Sequence, residues 1–302
     1  MNIWITGGTG FVGTRLSALL LEKGHGVAAV GSRPDFEGIR HPNFRYVSAD
    51  TSREGPWQEG LREADAVVNL TGRSIFSYWT ERTKAQIYES RVATTRNIAA
   101  ALGGDPGRER VLVSTSAVGY YGDRGDEILT EASPRGEGFL ADLSRDWEAA
   151  ALAAGDTAVR VVIARFGIVL DKSGGALKQM LPPFRLGLGG PMGDGRHWFP
   201  WIHMDDLLSA ILFALTDAKV AGPVNLTAPN PVQNRTFVKA LGRVLLRPAL
   251  VPVPGCVIRT ALGELGGVLL SSQRVLPVRL LDSGFRFEYP DIAPALKHLI
   301  RG

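Results

Sequence analysis

The chain has 302 residues, of which 45% are hydrophobic and 21% charged, enough for one large or two small globular domains with a substantial core. The formal net charge is +4 and the isoelectric point about 9.3, but the arginines are scattered and no run of Lys and Arg forms a stripe, so we expect no nucleic-acid partner. The lone Cys256 excludes an internal disulfide and a cysteine-cluster metal site, and we expect it to be a small buried apolar residue in a reducing compartment.

We expect no targeting or membrane segment in this sequence. Met1 leads directly into a strand-like run, without the charged region and apolar core of a secretory signal peptide. No apolar run reaches the roughly 20 residues that a membrane-spanning helix needs. We therefore expect a cytoplasmic protein without a membrane partner.

The N-terminal segment predicts a nucleotide-binding turn. An apolar strand at 2–6 runs into a glycine-rich turn at 7–13, and leucines at helical spacing follow. Glycines there permit a tight bend and let the backbone approach a pyrophosphate, which the free N–H groups of the helix then face. A purely structural strand-to-helix turn is the alternative. The residues expected to contact the cofactor are Gly7, Gly10, Phe11, Val12 and Gly13.

The next segments predict an α/β fold, a Rossmann-like doubly wound parallel sheet covered by helices on both faces. The crossover at 34–43 contains two prolines and a glycine, so little or no helix is expected there, whereas 80–102 lacks both residue types and predicts one long helix. The strand-like runs lie at 4–6, 27–30, 45–47, 66–70, 111–114 and 159–165.

The composition of the sequence changes after residue 165. Glycines and prolines crowd 174–200, and short elements follow. We expect a nucleotide-binding domain at 1–170 and a small C-terminal substrate-side lobe with a tail at 171–302. The two are interleaved, since no linker separates them.

The end of the second predicted strand indicates which cofactor is bound. Ser32 and Arg33 stand where an NAD-preferring site usually carries an acidic residue for the ribose 2′-hydroxyl. An arginine beside a serine can hold a 2′-phosphate, which favours NADP(H), and a solvated loop arginine is the alternative. Asp50, after the third strand, is a candidate to accept from the adenine amine, although an aspartate that ends a strand is equally typical of a turn.

Several further motifs carry a resemblance that spans essentially the whole chain. Besides the turn at 7–13, they are Val68-Asn69-Leu70-Thr71-Gly72, Ser90-Arg91, and the segments 114–122, 187–191, 201–206, 273–277 and 283–287. With these motifs the sequence resembles the extended short-chain dehydrogenase/reductase superfamily, and more closely its atypical epimerase-like branch. The resemblance implies that Leu70, Thr71 and Gly72 line the cofactor at the end of the fourth strand. It also implies that Arg91 reaches the cofactor from the long helix.

The catalytic residues of that superfamily are only partly present. Its enzymes hold a Ser or Thr at the end of the fifth strand and a Tyr-x-x-x-Lys on the next helix, where the lysine lowers the pKa of the tyrosine. Ser116 matches the first element, but no tyrosine in this chain has a lysine four positions later. Counted back from Glu148, the two slots hold Phe139 or Leu140, and Leu143 or Ser144.

A substitute proton donor would have to lie outside that helix. Ser116 is the first candidate, and Tyr120 and Tyr121 follow it on a loop at the carboxyl ends of the strands, where open α/β sheets bind ligands. We rank Tyr121 after Ser116. The alternative is that both tyrosines only wall a pocket.

The second half offers weaker candidates. The glycine-rich segment 187–195 and the aromatic run 197–201 predict either a hinged lid or a hairpin that packs its tryptophans into the core. His203 is expected to be a hydrogen-bonded structural histidine. Helix capping accounts for at least one of Asp205 and Asp206, and no His, Asp and Glu set has convincing metal spacing.

Two functions from different classes remain open. The first is an NADP(H)-dependent oxidoreductase or epimerase of weak or unusual activity, acting on a small and unidentified substrate, nucleotide-linked or sugar-like. The second is a non-catalytic NADP(H)-binding sensor whose lid conformation is read by a partner. A homodimer is compatible with either.

Overall fold

The structure is a computed structural model that describes residues 1–103, 109–156 and 158–302. Its strands are β1 (Asn2–Thr6), β2 (Gly26–Gly31), β3 (Phe44–Ser48), β4 (Ala66–Asn69), β5 (Arg110–Ala117), β6 (Ile128–Leu129), β7 (Val159–Phe166), β8 (Ile168–Asp171), β9 (Trp198–Phe199), β10 (Trp201–His203), β11 (Gly222–Leu226), β12 (Val232–Gln233) and β13 (Arg274–Val275). Its α-helices are α1 (Phe11–Glu22), α2 (Trp57–Glu63), α3 (Glu81–Leu102), α4 (Phe139–Leu152), α5 (Gly175–Arg185), α6 (Met204–Thr216), α7 (Asn234–Leu245), α8 (Gly255–Leu262), α9 (Glu264–Leu269), α10 (Val278–Asp282) and α11 (Ile292–Arg301). Short 3-10 turns lie at Val118–Tyr121 and Ala153–Asp156.

The centre of the molecule is a seven-stranded parallel sheet in the order β11-β7-β5-β4-β1-β2-β3. All six predicted strands lie in this sheet, so the predicted doubly wound α/β fold is confirmed. The strand order reverses direction at β1, which places β1 and β4 at the switch point where such sheets bind ligands.

Both faces of the sheet are covered by helices, which explains the continuous apolar character of its strands. Ile3 and Ile5 pack on the face of α1 and α6, whereas Trp4 between them packs against α2 and α3. The predicted long helix is confirmed as α3, whose Thr80 cap accepts a hydrogen bond from the Thr83 N–H at 3.2 Å. The connection at 34–43 contains no helix, as its prolines predict.

The C-terminal part packs as a smaller lobe. Helices α5, α7 and α11 share one apolar cluster, which Phe237, Leu241 and Leu296 help to fill. The chain nevertheless returns to the central sheet at β11, so the residues after 170 contribute to both layers. The division into domains at 1–170 and 171–302 stays a prediction.

Two smaller expectations are wrong. Cys256, in α8, is exposed rather than buried. Neither Asp205 nor Asp206 caps α6, because the His203 ring accepts from the Asp205 N–H at 3.1 Å and takes the capping position. Among the described helices, none is both long and apolar enough to cross a membrane.

Candidate cofactor site

The turn after β1 contains glycines for two different reasons. Gly7 has φ +71°, and a Cβ there would lie 2.8 Å from the Leu70 carbonyl oxygen, while a Cβ on Gly13 would lie 2.3 Å from the Gly7 oxygen. These two glycines are required by the packing of the chain on itself. Gly10 is different, because its backbone is extended, at φ −80° and ψ −176°, and a Cβ there would meet only the Gly7 oxygen, at 3.1 Å. The space beside Gly10 is therefore open to a ligand.

The start of α1 is built to receive an anion. Gly10 caps the helix without a side chain, and the first bond within the helix runs from the Thr14 N–H to the Gly10 oxygen at 3.0 Å. The three preceding N–H groups, those of Phe11, Val12 and Gly13, have no acceptor within the helix. Together with the helix dipole they favour a phosphate beside Gly10.

The end of β2 lies beside this turn and presents Ser32 and Arg33. A Cβ on Gly31 would lie 2.7 Å from the Thr9 hydroxyl, which shows how closely the two segments approach. The Tyr46 hydroxyl donates to the carbonyl oxygens of Gly31 and Arg33, at 3.0 and 2.6 Å, and fixes their backbone. Both Ser32 and Arg33 are exposed, and no carboxylate of the described residues lies within 4.0 Å of the guanidinium of Arg33.

Asp50 follows β3 in a self-contained turn. Its Oδ1 accepts from the backbone N–H and the hydroxyl of Ser52, at 3.1 and 2.6 Å, and its Oδ2 lies 3.7 Å from Arg53. This geometry is that of a turn residue. A contact between Asp50 and adenine stays a prediction.

Asn69, the last residue of β4, forms a buried hydrogen-bond network with the neighbouring strands and with α3. Its Oδ1 accepts from the Thr6 hydroxyl at 2.8 Å and from the Thr71 N–H at 3.2 Å, while its Nδ2 donates to Thr95 and Ser114. The side chain is fully buried, so this network fixes the backbone of Thr71 at the switch point. The sequence motif contains Asn69 but does not predict this role, although a polar residue at the end of an apolar strand is a signal for it.

Arg91 is a partly buried cation at the middle of α3. Its Nη1 donates to the Ile87 carbonyl at 3.1 Å, its guanidinium lies 5.3 Å from the ring centroid of Trp147, and a Cβ on Gly72 would touch it at 2.9 Å. Burial lowers the pKa of Arg91 to about 10. Within the described part of the chain it pairs with no carboxylate, which suits an arginine that awaits an anionic ligand.

Ser116 and Tyr121 lie in one buried polar chain. The Ser116 hydroxyl donates to Glu148 at 2.6 Å, and Glu148 forms an ion pair with Arg165 through two contacts of 2.8 Å. Arg165 donates to the Tyr121 hydroxyl at 2.9 Å, and Tyr121 donates to Asn225 at 2.7 Å. The sequence signal for this hydrogen-bonded network is the placement of Glu148 and Arg165 among apolar neighbours.

The buried chain makes neither hydroxyl available in this conformation. Ser116 is 1% exposed and Tyr121 is fully buried, and burial raises the pKa of Tyr121 to about 12. Their role as proton donors stays a prediction. At the expected tyrosine slot, Phe139 packs edge-on against Trp79 with ring centroids 5.1 Å apart, and Leu140 is partly buried beside Gly119.

The aromatic run after the glycine-rich segment packs inward. Trp201 is 1% exposed and Phe199 is 5% exposed, and both belong to the apolar cluster of the C-terminal lobe. Trp198 donates to Asp126 at 2.7 Å and stacks under Arg274. Of the two alternatives for 197–201, the structure favours core packing over a lid with aromatic anchors.

His203 is hydrogen-bonded and structural, as predicted. Its Nδ1 accepts from the Asp205 N–H, so its Nε2 carries the proton and donates to His298 Nδ1, 3.1 Å away. Burial lowers the pKa of His203 to about 4, which keeps the ring neutral. The ligand atoms of His203, Asp205 and His298 lie within 4.8 Å of one another, close enough to hold a metal ion, but Asp205 also lies 3.3 Å from the guanidinium of Arg15.

Taken together, the parallel sheet, the glycine turn at its switch point and the cations around it define a dinucleotide-binding α/β protein. The chain belongs to the NAD dependent epimerase/dehydratase family, which it matches over residues 3–226. Residues 253–299 match a second family, described as a domain of unknown function, DUF1731. The predicted epimerase-like resemblance is thereby confirmed.

Three relatives are informative. The chloroplastic SDR39U1 homolog of Arabidopsis thaliana is 40% identical over all of this chain and 87% of its own. The crystal structure of human SDR39U1 (isoform 2) with NADPH matches at a TM-score of 0.88 and 35% identity, covering 100% of both chains. A nucleoside-diphosphate sugar epimerase from Corynebacterium glutamicum matches at a TM-score of 0.79 and 34% identity, covering 99% of this chain and 58% of that one.

Proposed function

We propose that this protein binds NADP(H) along the carboxyl ends of β1, β2 and β4. The observation that carries the proposal is the open space beside Gly10, faced by the free N–H groups of α1. A pyrophosphate there would place the adenosine ribose toward β2, where the exposed Arg33 suits a 2′-phosphate. The NADPH bound to human SDR39U1 supports the same assignment.

We further propose slow oxidoreductase or epimerase chemistry on a small nucleotide-linked or sugar-like substrate. The nicotinamide supplies or accepts the hydride in this family of reactions. The name of the Corynebacterium relative supports the substrate class. In this chain the candidate proton donors are Ser116, which matches the superfamily's hydroxyl at the end of the fifth strand, and Tyr121. Neither belongs to a Tyr-x-x-x-Lys pair, so we expect proton transfer to limit turnover.

A second candidate function is a non-catalytic NADP(H) sensor. The specific observation in its favour is that Ser116 and Tyr121 are both committed to the buried chain around Glu148 and Arg165. A sensor needs cofactor affinity and a conformational response, and it needs no proton donor.

Two measurements test these proposals. Calorimetric titration should show tighter binding of NADPH than of NADH, and equal affinities would contradict the cofactor assignment. Transfer of the nicotinamide C4 hydrogen, followed by NMR with C4-deuterated NADPH and a panel of nucleotide sugars that carry a keto group to accept the hydride, separates the two functions. Stereospecific loss of deuterium supports the enzyme, whereas full retention across the panel supports the sensor.

The remaining expectations on partners and location are proposals of the same kind. We propose no nucleic-acid partner and a cytoplasmic location, although the Arabidopsis relative is described as chloroplastic. We propose a homodimer as the assembly to test first, by light scattering.

A further inference from the structure

One helical layer of the C-terminal lobe carries only positive charge. Helices α5, α7 and α11, with Arg247 just after α7, contain eight Lys and Arg and no Asp or Glu, which leaves 26 basic and 30 acidic residues in the rest of the chain. These helices pack on one another through a shared apolar cluster, so the cations lie outside. All eight are exposed: Lys178, Arg185, Arg235, Lys239, Arg243, Arg247, Lys297 and Arg301. A basic layer on an otherwise net acidic molecule indicates an anionic partner.

The charge is concentrated along α7. Arg235, Lys239 and Arg243 stand at successive four-residue intervals on one face, and Arg247 continues the spacing beyond the helix end. The expectation that no basic stripe exists is therefore wrong, because the helical period assembles residues that are scattered in the sequence. No carboxylate of the described residues lies within 4.0 Å of these four cations. Like charges at this spacing repel one another, so the stripe weakens the isolated helix.

The stripe lines a groove with an apolar rim. The groove has a volume of about 740 Å³, and Gly242 and Ala249 form part of its wall. We call it the basic groove. Leu246 and Leu250 are 78% and 80% exposed at its edge.

Leu246 has an unfavourable backbone conformation. Its φ of 54° is left-handed, a conformation that glycine or asparagine normally supplies where a helix ends. The loop that follows α5 lies beside the segment after Leu246, because the Val251 N–H donates to the Gly189 carbonyl oxygen at 3.2 Å. Leu188 in this loop is 59% exposed. Exposed leucines beside unpaired cations are typical of a surface that a partner covers.

We infer that the basic groove binds an acidic amphipathic helix of a partner protein. Carboxylates four residues apart on such a helix would match the spacing of Arg235, Lys239 and Arg243, and apolar side chains between them would cover Leu246 and Leu250. The regular four-residue spacing of its cations matches carboxylates on a helix better than lipid headgroups, which have no fixed spacing. No aromatic side chain lines it, so it lacks the stacking platform of single-stranded nucleic-acid sites.

The test uses the full-length chain and a synthetic probe. A fluorescein-labelled 16-residue helical peptide carries glutamates at every fourth position and leucines beside them, and fluorescence anisotropy follows its binding. A second peptide has the same composition but a scrambled order. We expect the patterned peptide to bind at least tenfold more tightly than the scrambled one.

Variants locate the binding on the surface. Lys239→Gln with Arg243→Gln should weaken the patterned peptide at least tenfold, and Leu246→Gly at least threefold without lowering the melting temperature. The matched control, Lys23→Gln with Arg82→Gln, removes the same charge from exposed positions outside the groove and should change binding less than twofold. Circular dichroism confirms that each variant is folded.

Three results would overturn the inference. The first is equal binding of the two peptides, and the second is equal weakening by the groove and control variants. The third is absence of peptide binding together with binding to phosphatidylserine vesicles or to a 20-base-pair DNA duplex that Lys239→Gln with Arg243→Gln abolishes. The NADPH titration is independent of all three, so failure of either proposal leaves the other standing.

Discussion

Replacement of Glu148 by alanine should destabilise the protein more than any comparable loss of surface charge. The Glu148 and Arg165 side chains are 8% and 3% exposed, and two contacts of 2.8 Å join them. Removing the carboxylate leaves a guanidinium buried without a counterion and removes the acceptor of the Ser116 hydroxyl. Breaking a buried pair in this way costs about 3–5 kcal/mol.

Equilibrium urea denaturation followed by circular dichroism measures this loss. The double variant Glu148→Leu with Arg165→Met should recover part of the loss, because no unpaired charge then remains. The matched control is Glu37→Ala, since Glu37 is 85% exposed and lies 3.7 Å from an exposed Arg40, a pair that contributes little. If Glu148→Ala lowered the free energy of unfolding no more than Glu37→Ala, the buried chain would have no stabilising role.

Three further outcomes are expected. Gly10→Val should abolish NADPH binding while the fold survives, because the extended backbone of Gly10 accepts a side chain and that side chain would fill the pyrophosphate space. Calorimetric titration of NADPH measures the loss, and Gly267→Ala, at a glycine that faces open space, is the control. The pKa of His203 is about 4 in the folded protein against 6.5 unfolded, so its contribution to stability is complete above pH 6.5 and is lost as the pH falls toward 4. The free energy of unfolding should therefore fall by up to about 1.4 kcal/mol per pH unit in this range. The same pH dependence in His203→Gln would contradict this. Turnover on a carbonyl panel with saturating NADPH should be weak and reduced further by Ser116→Ala or Tyr121→Phe, whereas ordinary turnover unaffected by either would refute both donors.

The fold was predictable because its signals are local. Apolar runs bounded by glycine and proline define the strands, and the glycine turn marks the switch point without knowledge of any distant contact. Thr80 and the absence of Pro and Gly in the next 22 residues define α3 equally well. Each of these patterns lies within one element.

Features that depend on distant pairing were not predictable. Glu148 and Arg165 lie on α4 and β7, and only the folded sheet makes them one ion pair. Capping was expected of at least one of Asp205 and Asp206, but Asp206 accepts the backbone N–H groups of Glu288 and Tyr289 at 2.7 and 3.0 Å, more than 80 residues away. Capping by His203 was missed because histidine is not among the preferred capping residues.

Calorimetric titration of NADPH and NADH into wild type and Arg33→Ala shows whether Arg33 directs this site to NADP(H). Loss of a charge-assisted contact worth about 1.5–3 kcal/mol should weaken NADPH roughly ten- to a hundredfold or slightly more and leave NADH unchanged. Arg82→Ala, which removes an exposed arginine at the start of α3, serves as the control and should change neither affinity. Equal losses for both cofactors in Arg33→Ala, or no loss for either, would show that Arg33 does not hold the 2′-phosphate.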